Sequence, residues 1–202
     1  MYSSKPNLLL GFHGCNKNDQ QKLLNNPDFF KISSESYDWL GHGMYFWENN
    51  PERAIEWAEI KRKSGSIDSS AVIGAVVDLG FCFDLLDSAN IRILKQAYDI
   101  MLNEAKILGD TIPLNLKHPK SKNEEKVLRY LDCSVIEFTH KLLKEKGERP
   151  FDSVRAAFIE GNPIYPEAGF HERTHIQICI INPNCIKGVF LPRDSNITFQ
   201  AV

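Results

Sequence analysis

Gly41-His42-Gly43-Met44-Tyr45-Phe46-Trp47 runs almost directly into Pro51-Glu52-Arg53-Ala54-Ile55-Glu56-Trp57-Ala58, and this strand-to-helix passage decides how the rest of the chain is read. A companion motif lies upstream, Leu10-Gly11-Phe12-His13-Gly14. Glycines beside a histidine remove the Cβ that would hold a ligand away from the backbone. An aromatic side chain next to such glycines offers a flat face on which a ring can stack. Together the two motifs describe a site for a planar, polar heterocycle.

Outward from that passage, Asn50 is a good helix N-cap and Pro51 suits the first helical position. The helix turns Ala54, Trp57, Ala58 and Lys61 to one side and ends in Lys61-Arg62-Lys63-Ser64-Gly65, where cations favour a C-terminus. Upstream, 7–12 reads as a short buried strand ending at His13, and 16–25 as a short helix. Downstream, the β-branched run 71–79 is a buried strand, and 81–85 a short further one. Ile91, Leu94, Tyr98, Met101, Ala105 and Leu108 make one apolar helical stripe. A loop over 111–123 leads to a second long helix, 124–146, with Val127, Leu131, Val135, Phe138 and Leu142 along one face. Strands are expected at 152–159, 176–181 and 187–191. The expected fold class is α+β, a single domain over 1–202 with a helical insertion at about 87–147.

The balance of 43% hydrophobic and 25% charged residues is that of an ordinary soluble domain, and a net charge of −2 argues against a strongly basic nucleic-acid platform. The cysteines number five, an odd count with no Cys-x-x-Cys pair, which favours reduced thiols over disulfides or a zinc site. No apolar run approaches the roughly 20 residues needed to span a bilayer, and the start Met1-Tyr2-Ser3-Ser4-Lys5-Pro6 has no signal-peptide core. The expectation is a cytoplasmic protein with no metal and no membrane partner. No Gly-x-Gly-x-x-Gly follows a strand and no P-loop is present, so neither common phosphate-binding signature applies.

The motifs resemble those of the ADP-ribosyltransferase family, in its histidine–tyrosine–glutamate branch that includes diphtheria toxin and the poly(ADP-ribose) polymerases. His13-Gly14 is similar to the family's first motif, an apolar strand ending in His-Gly. Gly41-His42-Gly43-Met44-Tyr45-Phe46 is similar to the second, with Ala54 and Trp57 in the helix that follows. Ile176-Gln177-Ile178-Cys179-Ile180-Ile181-Asn182-Pro183, with the strand after it, is similar to the third. The chain departs from the pattern at that third motif, where Gln177 stands in place of the catalytic glutamate. The helical block is not part of the likeness.

The resemblance implies a split β-sheet core with an inserted helical block, NAD as co-substrate, and mono-ADP-ribosylation of a macromolecule. A small enzyme of this kind fits a bacterial toxin or anti-phage defence effector, with an antitoxin or other neutralising protein as a possible partner. It further implies that His13 bonds the adenosine-side ribose, that Gly14 meets the nicotinamide amide, and that Tyr45 stacks on the nicotinamide beside Gly43, with Trp57 or Tyr37 on the far side. Breaking the ribose–nicotinamide bond releases a neutral base, so the chemistry asks for orientation and local negative charge more than for a proton donor. Gln177 can hold a hydroxyl through its amide but supplies no charge. Glu172, at the end of the preceding loop, is the first choice for that charge, and Glu160 the second. His175 shares a strand face with Gln177. Arg155 either reaches the NAD phosphates or is an ordinary strand arginine.

The loop 160–171 carries Tyr165 and Phe170, which either face a target or anchor the loop to the core, the latter favoured for Phe170. Lys61-Arg62-Lys63 and Lys117, Lys120 and Lys122 modestly favour nucleic acid over protein as target. Two other readings stay open. One is a catalytically impaired module that binds NAD, ADP-ribose or nucleic acid in the same pocket. The other is a cysteine hydrolase using Cys15 beside His13.

Overall fold

The computed structural model describes residues 8–26, 28–117, 119, 126–194 and 198. Among them, seven strands form one mixed sheet, accompanied by four α-helices. In chain order the elements are β1 (Leu9–Asn16), α1 (Lys17–Asn25), β2 (Met44–Glu48), α2 (Pro51–Lys63), β3 (Ser70–Val77), β4 (Cys82–Asp84), α3 (Ser88–Leu108), α4 (Tyr130–Glu145), β5 (Ser153–Phe158), β6 (His175–Ile180) and β7 (Ile186–Phe190). A single 3₁₀ turn, Pro183–Cys185, separates the last two strands. The order across the sheet is β4-β5-β6-β2-β1-β3-β7, antiparallel except for the β4–β5 pair.

The local signals act as written. Asn50 accepts a hydrogen bond from Arg53 N at 3.1 Å and so caps α2, with Pro51 at its start. Asn16 caps α1, accepting from Asn18 N, and β1 does not stop at His13 but runs on to that cap residue. The second long helix starts later than its apolar pattern suggests. Leu128 pairs in an isolated bridge with Leu116, and α4 begins only at Tyr130, without a side-chain cap. Positions 124 and 125 of the expected helix lie outside the described residues. None of the stripe expected on α3 is buried: Leu94, Tyr98, Met101 and Ala105 are half-exposed and Ile91 and Leu108 face solvent, while the helix's buried residue, Ala97, lies outside the stripe. Among the described residues no helix is long and apolar enough to cross a membrane.

Both faces of the sheet are packed. On one, Met44, Phe46, Ile73, Ala75, Val77, Ile178 and Ile180 meet Leu23 of α1. On the other, Phe83, Val154, Ala156 and Cys179 meet Ile136 of α4, and Phe12 and Trp47 meet Ala54 of α2. The two helices thus cover separate halves of this second face. The sheet also comes apart locally. β1 and β2 pair at Gly11↔Glu48 and Phe12↔Trp47, then part: β1 stays with β3 out to Asn16↔Ser70, and β2 with β6 out to Met44↔Ile180.

Arg155 is buried on the first face, its guanidinium bonded to both oxygens of Glu48 (2.5 and 2.8 Å) and to Asp84 (3.2 Å). These carboxylates raise its already high pKa, first through the Glu48 hydrogen bonds. It therefore ties β2, β4 and β5 together, and its donors are used within the fold rather than turned towards a phosphate. Removing one member of such a trio strands buried charge. Arg155→Met is expected to lower unfolding stability by about 3 kcal/mol or more, read from urea denaturation, with much of the loss recovered in the triple variant Arg155→Met/Glu48→Gln/Asp84→Asn.

Candidate active site

His13 sits where β1 and β2 part. Its Nδ1 lies 2.7 Å from the carbonyl oxygen of Tyr45. A carbonyl only accepts, so Nδ1 carries the proton and Nε2 keeps a lone pair. Burial pushes the imidazole pKa down to about 4, which holds the ring neutral at physiological pH. The first two motifs are thus joined by one hydrogen bond across the gap.

Neighbours across a ladder share a face. Tyr45 pairs with Cys179, and Trp47 with Gln177, so Tyr45, Trp47, His175 and Gln177 stand on the helix-covered second face. The Tyr45 ring packs on the cluster around Leu40, Phe83 and Cys179. Its hydroxyl donates to the Gly41 carbonyl at 2.8 Å and accepts from Leu40 N at 2.9 Å. Burial pushes the phenol well above its ordinary range. The ring is a fixed platform rather than an acid. Trp47 is buried beside Trp57 of α2, with ring centroids 6.1 Å apart, and Trp57 remains half-exposed under the Lys61 ammonium. Tyr37, the other candidate for the far side of the ring, instead packs edge-on against Tyr130.

The motif glycines are occupied by protein. A Cβ on Gly14 would stand 2.3 Å from the carbonyl oxygen of Ala54, and one on Gly43 would stand 2.5 Å from Cys179 Sγ. Gly41 has φ of +79°, a conformation glycine adopts freely, and turns the chain into β2. The close approach these glycines permit is that of α2 and β6.

Two residues that sequence reasoning passed over complete the site. Trp39, in the segment before Gly41, donates its indole N–H to Gln177 Oε1 at 2.6 Å and lays its ring against Phe158, centroids 4.7 Å apart. Arg53, at the start of α2, is buried and bonds Glu160 at 2.7 Å as well as Glu56. A lone tryptophan in an irregular segment carries no periodic signal, and Arg53 reads from the sequence as a helix-surface cation. Glu160 also meets Arg173 at 2.9 Å, so it is the loop carboxylate that points towards α2, already paired with two guanidiniums. Glu172 does not fold inward. Its carboxylate is exposed and accepts from the backbone N–H of Asn162 at 3.0 Å, bracing the loop.

That loop is held closed by Ile164–Phe170 and Ala168–Tyr165 backbone bonds and by His171 Nδ1 on the Gly161 carbonyl. Ala168 is its buried residue, whereas Tyr165 and Phe170 are exposed, so Phe170 is not the anchor that its apolar character suggested. The basic run also thins out. Lys61 is half-buried, its pKa lowered by burial, and Arg62 pairs with Glu59. Of the other lysines, Lys120 and Lys122 lie outside the described residues.

Cys15 is buried and burial pushes its thiol up to about 11, so it is not poised as a nucleophile beside His13. A different constellation surrounds His42: Nε2 lies 3.9 Å from Cys133 Sγ and Nδ1 3.6 Å from Glu137. Burial pushes the Cys133 thiol up to about 11 as well. Beside it opens a cavity of about 510 Å3 lined by His42, Glu137, His140, Lys144, Phe151 and Asp152 among others; none of the residues expected to be catalytic lines it. Among the described residues no group of three or more histidine, cysteine or acidic side chains is placed to hold a metal ion. Comparison of the chain with protein-family models, with curated proteins and with solved structures finds no match.

Burial also pushes the pKa of His175 down to about 4. A depressed histidine pKa favours folding while the ring is neutral, so stability is fully present above the unfolded value of 6.5 and is lost as pH falls towards 4. Each ring contributes a slope of about 1.4 kcal/mol per pH unit in that window. Urea denaturation across the window should show this fall, and His13→Gln should flatten it.

Proposed function

We propose that this protein is an NAD-dependent mono-ADP-ribosyltransferase that modifies a macromolecule. One observation carries the reading. The His13–Tyr45 hydrogen bond joins the first two motifs at the place where β1 and β2 part, and Gln177 of the third lies on the adjoining strand opposite Trp47, on the same face as Tyr45. His13 turns to the face of Phe46, and Tyr45 and Gln177 to the other, so three segments far apart in sequence lie on neighbouring strands around the parting of β1 from β2, an arrangement that supports the motif resemblance. The finer fold expectation, an ADP-ribosyltransferase-like split sheet with a helical insertion, rests on the same parting of β1 from β2 and on α3 and α4 lying between β4 and β5.

In this reading His13 accepts a ribose hydroxyl at Nε2, and its neutral state suits that role. Tyr45 supplies a rigid ring for the nicotinamide, its orientation set by the bonds to Gly41 and Leu40. Gln177 orients the ribose through its amide. For the negative charge that a cationic ribose requires, we rank Glu160 ahead of Glu172, since Glu160 points towards α2 while Glu172 is spent on its own loop. The exposed Tyr165 and Phe170 on the braced loop present stacking faces to a target, which suits a nucleobase and keeps nucleic acid slightly ahead of protein. A bacterial toxin or anti-phage effector, held in check by a neutralising protein, fits such an activity in the cytoplasm.

A second reading is favoured by the same details. Gln177 is engaged by Trp39, and Glu160 is neutralised by Arg53 and Arg173. A module that binds NAD or ADP-ribose without transferring it would look the same. NAD consumption separates the two.

Incubation with labelled NAD and a cell extract, followed by separate nuclease and protease digestion, should place the label on one class of macromolecule. His13→Ala and Tyr45→Ala should each lower NAD turnover or affinity by at least about tenfold, roughly 1.4 kcal/mol. Unchanged values in both folded variants would remove the family assignment. At saturating NAD, Glu160→Gln and Gln177→Ala should reduce transfer more than Glu172→Gln does. Full activity in all three would move the chemistry elsewhere.

A further inference from the structure

The strip of sheet between α2 and α4 holds polar atoms that the fold leaves unsatisfied. Trp47 and His175 are only 4% and 6% exposed, and among the described residues Trp47 Nε1 and His175 Nε2 are buried with no hydrogen-bond partner. Native structures seldom bury such groups unpaired unless something else satisfies them. The two atoms differ in kind. An indole N–H only donates. His175 Nδ1 lies 2.6 Å from the Arg173 carbonyl, which only accepts, so Nδ1 holds the proton and Nε2 offers a lone pair. The rings belong to adjoining strands on one face, with centroids 6.2 Å apart.

One donor and one acceptor side by side select their complement. A carboxylate or phosphate dianion accepts but cannot donate to Nε2; an ammonium donates but cannot accept from the indole. A hydroxyl does both through one oxygen. Gln177 pairs with Trp47 across the ladder and adds an amide to the same surface. Its Oε1 is taken by the Trp39 indole, whose ring rests on Phe158, and Phe158 in turn lies 5.5 Å from the His175 ring. Trp39 belongs to the irregular segment that ends at the left-handed Gly41, outside the strand ladders.

We propose that Trp47, His175 and Gln177 form a subsite for a sugar hydroxyl, roofed by Trp39, whose hydrogen bond to Gln177 is exchanged for one from the ligand. This deepens the proposed function and rests on that reading for the choice of ribose as the sugar. A resident water is the other source of an O–H group, and the experiment separates the two.

In the full-length protein labelled with ¹⁵N, the indole signals of Trp39 and Trp47 and the imidazole nitrogens of His175 are followed by NMR. They are assigned from Trp39→Phe, Trp47→Phe and His175→Gln. ADP-ribose, which carries the hydroxyls, and nicotinamide, which has none, are titrated separately, with calorimetry reporting binding. The expected result is that ADP-ribose shifts Trp47 Nε1–H and His175 Nε2 and alters Trp39, while nicotinamide leaves all three in place. Trp39→Phe, which keeps the ring but drops the N–H, should bind ADP-ribose severalfold more tightly, and Trp47→Phe about tenfold more weakly. Saturable ADP-ribose binding with the Trp47 and His175 signals unmoved means a resident water only; it overturns the subsite and leaves the NAD reading standing. Absence of both ADP-ribose binding and NAD consumption overturns the two together.

Discussion

The close seating of α2 on β1 at Gly14 is the contact on which the arrangement of the site depends. The Ala54 carbonyl lies where a Gly14 side chain would begin, and Ala54 and Ala58, one helical turn apart, are almost fully buried there. Three small residues let backbone meet backbone, and the dense packing of protein interiors leaves no slack to absorb a methyl group at that point. The helix is consequently held close against β1 at this point. Its first turn brings Arg53 to the loop carboxylate Glu160, and its next sets Trp57 against Trp47. With α4 covering the other half of the same face, an uncovered strip of strands β2 and β6 remains between them, and Trp39 closes it.

Electrostatics divides the molecule along the same lines. On the far face, Arg155 neutralises Glu48 and Asp84 inside the core and locks three strands together. At the site, the charges sit at the rim, where Glu160 is shared between Arg53 and Arg173. Within the strip the polar groups are neutral: His175, whose pKa burial has driven down, Tyr45, whose pKa it has driven up, the Gln177 amide, and the Trp39 and Trp47 indoles. Such a surface recognises oxygen atoms and ring faces, and rejects bare ions that it cannot resolvate. Tyr165 and Phe170, on the braced 160–172 loop, are exposed to solvent.

Much of the fold was readable because the cues are local. Asn50 and Pro51 mark the start of α2 by a hydrogen bond spanning three residues, and the β-branched run at Ala71 to Val77 has no other stable use than a buried strand. Cues failed where no local interaction sets the boundary. The late start of α4 follows from a bridge between Leu116 and Leu128, and the exposure of the α3 stripe from how little of the fold packs against it. At the site, alternation along β6 put His175 and Gln177 on one face correctly. The same kind of reasoning left Arg155 undecided, since a strand arginine looks alike whether it faces carboxylates or solvent. It was also silent on Trp39.

The sequence by itself determined the element order, the Asn50 cap of α2 and the shared face of His175 and Gln177, because each of these depends on spacing within a few residues. Only the tertiary structure decided that Glu172 braces its loop while Glu160 points towards α2, that Arg155 belongs to a buried trio, and that Trp39 roofs the strip. Those outcomes depend on partners 10 to 138 residues away along the chain, brought together by strand register and by the seating of α2 on Gly14, and no short window of sequence contains both halves of such a contact.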